Sequence, residues 1–83
     1  MHDTITREDV EKWLDKLEPL LPAMEVEDPK GEQFLTNIRA YVSDSKHFLE
    51  KGDLVRAFEA MIWAWSLWET SAELGLLALE PSQ

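Results

Sequence analysis

The chain has 83 residues, 45% of them hydrophobic, no cysteine, and a formal net charge of −9. That length allows one small domain and that apolar content supplies a core, which excludes global disorder. Without cysteine there are no disulfides, thiolate metal sites or cysteine nucleophiles, and eight scattered bases in an acidic chain exclude direct binding to nucleic-acid phosphates.

The N-terminal MHDTITREDV has neither the basic start nor the apolar run of a signal peptide, and His2 falls in a terminus expected to fray. The longest apolar run, residues 60–65, falls far short of the roughly 20 residues of a membrane span. A cytoplasmic protein without membrane contact is expected, its acidity serving solubility and steering toward a basic partner.

The first predicted helix covers residues 6–18. Thr6 followed three residues later by Asp9 is a variant capping box, and Glu8, Asp9 and Glu11 crowd the first turn, where the helix dipole favours negative charge. Val10, Trp13, Leu14, Leu17, Leu20 with Leu21, and Met24 recur at helical spacing. Pro19 and Pro22 each remove a backbone donor and clash one turn back, so a kink or separate short turn is expected after Glu18.

Residues 25–28 read as a short acidic linker. Asp28 as cap and Pro29 in the first turn open a second helix over residues 29–51, with Phe34, Leu35, Ile38, Tyr41, Val42, Ser45, Phe48 and Leu49 on one face. Gly52 suits the left-handed position after a helix, and Asp53 at once caps a third helix over residues 54–74, which Gly75 stops. So tight a junction forces an antiparallel hairpin. The tail, residues 76–83, is apolar at Leu76, Leu77 and Leu79, and is expected to fold back, to add a helical turn or to fray. No strand pattern is visible. The predicted fold is a single all-α domain, a three-helix bundle with a long hairpin of helices two and three.

Three of the four tryptophans lie in the third helix. At 100° per residue, Leu54, Phe58, Met61, Ile62, Trp65, Trp68 and Ala72 form one wide stripe, the predicted core face. Trp63 stands nearly opposite Trp65, in a second strip with Ala60, Leu67 and Leu74. Small residues Ala57, Ala64 and Ser71 separate the two strips on one side, and Glu59, Ser66, Thr70 and Glu73 on the other. A helix apolar around most of its circumference is usually surrounded, and two other helices cannot easily cover both broad faces. The second strip therefore points to an interface built from Ala60, Trp63, Leu67 and Leu74, with a homodimer as the simplest case.

No catalytic constellation emerges, and no cofactor or metal is expected. Asp44 and His47 have a spacing used in di-iron bundles, but those need two copies and inward-facing glutamates, whereas His47 lies opposite the core stripe. Arg39 and His47 are too far apart for the Arg-His pattern of helical ribonucleases, and one hairpin without a visible repeat is not a tetratricopeptide array. The alternative function is a small-ligand or catalytic pocket between helices. It would use Glu69, at the margin of the core stripe, with Tyr41 or Arg39 as its partner. A third reading is a subunit of a larger nucleic-acid complex that contacts a basic protein.

Residues Ala40-Tyr41, Asp44, Phe48-Leu49, Gly52-Asp53, Arg56-Ala57-Phe58-Glu59-Ala60, Ala64-Trp65 and Leu74-Gly75 together resemble the archaeal "domain of unknown function 357" family. The Gly-Asp hinge before Ala-Phe-Glu-Ala is the most specific part; Trp63, Trp68, Pro19 and Pro22 depart from the family pattern. The resemblance implies an archaeal cytosolic protein, a leading helix and a long helical hairpin. It implies no activity and supplies no catalytic residue.

Overall fold

Each of the three long helices begins where a side chain accepts from its free backbone donors. The computed structural model describes residues 4–81; His2 and the last two residues of the tail lie outside the described residues. Helix α1 (Arg7–Leu17) starts with a capping box: Asp9 N–H donates to Thr6 Oγ1 at 3.1 Å, and Thr6 N–H donates to Asp9 Oδ2 at 3.2 Å. Those bonds with Thr6 hold the Asp9 carboxyl below the usual aspartate range. After α1 the two prolines permit only a 3-10 helix, Glu18–Ala23, so the predicted break is a tight turn of its own.

Helix α2 (Pro29–Glu50) begins with Lys30 N–H donating to Asp28 Oδ1 at 2.9 Å. Its end is a Schellman motif around Gly52, at φ 77°: Asp53 N–H reaches Phe48 O at 2.9 Å and Gly52 N–H reaches Leu49 O at 3.1 Å. Asp53 then turns its side chain forward and accepts from Arg56 N–H at 3.1 Å, capping helix α3 (Leu54–Glu73). One residue thus closes α2 and opens α3, which makes the hairpin turn short.

Gly75, at φ 75°, ends α3 with the same motif: Leu76 N–H donates to Ser71 O at 2.8 Å and Gly75 N–H to Ala72 O at 3.2 Å. The reversed chain does not fray. Leu76 O accepts from Glu27 N–H at 2.9 Å, and strand β2 (Leu77–Leu79) pairs antiparallel with strand β1 (Met24–Val26). The register is Met24 with Leu79, Glu25 with Ala78 and Val26 with Leu77. Glu80 N–H extends the ladder to Ala23 O at 2.7 Å. This two-stranded ribbon corrects the expectation of no strand and of a plain acidic linker at residues 25–28. Three-residue strands are too short to display an alternating pattern.

The ribbon explains Gly31. A Cβ there would overlap the Leu76 carbonyl oxygen, because the first turn of α2 lies directly against the start of β2. Glycine is needed for close approach, not for an unusual dihedral.

The core joins Val10, Leu14 and Leu17 of α1 to Leu35, Ile38, Val42 and Leu49 of α2 and to Ala57, Met61, Ala64 and Trp68 of α3, closed at one end by Met24 and Leu77. The Arg7 guanidinium donates to Leu49 O, tying the start of α1 to the last turn of α2.

The buried sector of α3 is rotated by roughly 80° from the predicted stripe, toward the small residues. Ala57, Ala60, Met61, Ala64, Trp68 and Ser71 are buried; Ile62 is 44% exposed, Ala72 is exposed and Trp65 is half-buried. The reason is helix spacing. Helices α2 and α3 run together along their length, and small side chains on the line of closest approach let the backbones come near. Ser45 Oγ, fully buried, donates to Ala57 O across this seam at 2.7 Å. Bulky residues then fall on the flanks.

Two predictions test this packing. Ala64→Leu forces extra methylenes into the seam and should cost about 1–3 kcal/mol, while Ile62→Ala should cost about 1 kcal/mol or less. Urea unfolding of both variants checks the order, and the reverse order would restore the predicted stripe. Gly31→Ala should cost about 1–3 kcal/mol by pushing β2 off α2; wild-type stability in that variant would mean that the ribbon does not press there.

Candidate functional site

Helix α3 presents two aromatic surfaces on opposite sides. Trp63 and Trp65 stand roughly 160° apart around its axis. Trp65 faces α1, with its Nε1–H donating to Trp13 O at 3.0 Å. Trp63 faces away from α1, on the outer side of the hairpin, where its ring stacks on Tyr41 with centroids 6.2 Å apart and planes inclined by 20°.

The outer side repeats every seven residues on both helices: Phe34, Tyr41 and Phe48 along α2, and Ala60, Leu67 and Leu74 along α3, with Trp63 between them. Seven residues are close to two helical turns, so each set forms a strip. Trp63 is 57% exposed and Leu74 63% exposed. Leu67 is half-buried against the core, and Ala60 is buried at the edge of the seam. Of the four residues predicted to form an interface, Trp63 and Leu74 are thus more than half exposed, Leu67 is exposed in part, and Ala60 is buried. Arg56 lies 5.9 Å over the Phe48 ring near the hairpin turn and pairs with Asp53 at 3.7 Å.

On the other side of α3, Trp13, Phe58, Met61, Ile62, Trp65 and Glu69 line a groove of about 340 Å³. Trp13 and Trp65 meet edge to face, with centroids 5.8 Å apart and planes at 87°. Trp13 is 42% exposed, and the Lys16 ammonium lies 4.6 Å from its ring centroid. Glu69 is exposed at the rim. The predicted pairing of Glu69 with Tyr41 does not form: Tyr41 belongs to the outer side with Trp63, and the groove lies on the side of α1. Arg39 is elsewhere too, in a polar cleft with Glu18, Ser43, Lys46, His47 and Glu50.

That cleft, about 440 Å³, is crossed by the pair Lys46 Nζ–Glu18 Oε2 at 2.8 Å. Its hydrogen bond, then its charge, raises Lys46 above the ordinary lysine range. Ser43 and His47 line the cleft one turn apart with no hydrogen bond between them. Among the described residues no group of three or more His, Asp or Glu could hold a metal ion, and no helix is long and apolar enough to cross a membrane.

Spacing alone puts Trp13 in the core stripe of the first helix, whereas its side chain is partly exposed. Its neighbours carried a hint of exposure: Lys12, Asp15 and Lys16 leave it on the charged margin of that stripe.

Comparison with known proteins agrees with this architecture. No curated protein matches the chain. A crystal structure of protein AF1782 from Archaeoglobus fulgidus, itself assigned to DUF357, superposes with a TM-score of 0.80 at 46% sequence identity, covering 88% of this chain and 91% of that one. The family model described as protein of unknown function (DUF357) matches residues 8–77. With most of its length matched by that model and an archaeal relative so similar in sequence and shape, the chain belongs to the DUF357 family.

Proposed function

We propose that this protein is a non-enzymatic, cytoplasmic interaction module that self-associates through the outer side of the α2–α3 hairpin. The observation behind this reading is the exposure of Trp63, stacked on Tyr41 in the middle of two apolar strips with a common seven-residue spacing. Two such hairpins meeting about a two-fold axis would make a four-helix bundle, in which each strip faces its counterpart.

Size and charge favour a second copy as the occupant. A helix of 20 residues is about 30 Å long, and two adjacent helices present a face about 20 Å wide, on the order of 600 Å² in projection. That approaches the roughly 800 Å² per partner of a standard interface. The strips themselves are apolar, with Glu59 and Asp44 at their margins, whereas Glu8, Asp9, Glu11, Asp15 and Glu18 sit on α1 and its following turn, across the hairpin. Much of the repulsion between two chains of charge −9 is thereby kept at a distance, and the remainder at the rim is open to screening.

Light scattering over a concentration series at low and high salt is expected to give a dimer that tightens as salt rises. Association with a basic partner would weaken instead. Trp63→Glu should give a folded monomer with an unchanged helical circular dichroism spectrum. A wild-type chain that stays monomeric throughout, or a variant that unfolds, would refute the proposal.

A further inference from the structure

We infer that the groove between α1 and α3 binds a small organic monocation with an apolar body, seated against the Trp13–Trp65 pair and neutralised by Glu69. This site is separate from the self-association surface and independent of it, since the two lie on opposite sides of α3.

The groove is preformed. The bond from Trp65 Nε1–H to Trp13 O fixes one indole against the backbone that carries the other, and the perpendicular rings meet edge to face. The edge-to-face contact and the Lys16 ammonium occupy part of this aromatic surface, and the indole face left toward the groove attracts a cation without hydrogen bonds. Met61, 1% exposed, forms the floor, and Phe58 and Ile62 complete an apolar wall. An apolar body seated there removes exposed surface of Ile62 and Trp13 from water. A volume of about 340 Å³ suits a small molecule.

Charge selects the ligand. Glu69 stands one helical turn beyond Trp65, at the rim, and makes no ion pair among the described residues. An anion in the groove would meet this carboxylate and the field of a −9 protein; a cation is attracted by both. The chain supplies its own instance of the same attraction in the Lys16 ammonium over Trp13. That ammonium repels a second cation at its end of the groove and directs the ligand's charge toward Glu69.

Benzyltrimethylammonium is a suitable probe and benzyl alcohol its neutral counterpart. Titration of the full chain is followed by tryptophan fluorescence and by the indole N–H resonances. We expect saturable binding of the cation that moves the Trp13 and Trp65 resonances and leaves Trp63 in place. Glu69→Gln should weaken it about tenfold with an unchanged thermal melt, and benzyl alcohol should bind at least as weakly to wild type. Absence of saturation, equal affinity in Glu69→Gln, equal affinity for benzyl alcohol, or a shift centred on Trp63 would each overturn the assignment.

Discussion

The close approach of α2 and α3 is the constraint on which the rest of the molecule is arranged. Ala57, Ala64 and Ser71 recur every seven residues of α3 and are fully buried, so the line of contact carries almost no side-chain bulk. Ser45 uses that proximity to reach Ala57 O. A buried hydroxyl without a partner would cost free energy, and here it gains one only because the backbones are near. Large side chains cannot share the line. Met61, Trp65 and Phe58 pass to one flank and Trp63, Leu67 and Leu74 to the other, while Trp68 is buried in the core.

The ribbon of β1 and β2 closes the open end of the hairpin. The Schellman turn at Gly75 aims Leu76 O at Glu27, the strand that follows buries Leu77, and the bare Cα of Gly31 lets α2 pass beneath. Three features distant in sequence therefore depend on one another. The two strands are short, yet they join the segment after α1 to the segment after α3, so the first and last parts of the chain restrain each other.

Much of this was legible because punctuation is local. Thr6 with Asp9, Asp28 with Pro29, Gly52 with Asp53 and Gly75 each act within one turn of chain, and each marks a helix end. The rotation of the α3 core was not legible, since hydrophobicity ranks tryptophan and isoleucine above alanine while helix spacing ranks them the other way. The strands were hidden by brevity, and Gly31 by the fact that its neighbour lies 45 positions away at Leu76. The candidate surfaces divide along the same line. That Trp63 and Leu74 lie opposite Trp65 follows from helical angles alone. That Glu69 and Tyr41 never meet required knowing which flank α1 covers.

One exposed flank follows from the number of helices. A central helix pressed closely against a single neighbour has two bulky flanks, and a chain of this length has one further helix with which to cover them. Helix α1 takes the flank of Trp65, through the bond to Trp13 and the groove beside it. The flank of Trp63 is left to solvent by construction, and a sequence selected only for solubility would fill it with charge. Its middle holds instead an aromatic stack and leucines, with Glu59 and Asp44 at the margins, in a protein with 17 acidic residues to place. The acids keep to the margins of that flank and its centre stays apolar, so the proposed self-association draws on the pattern of the whole face more than on the exposure of any one tryptophan.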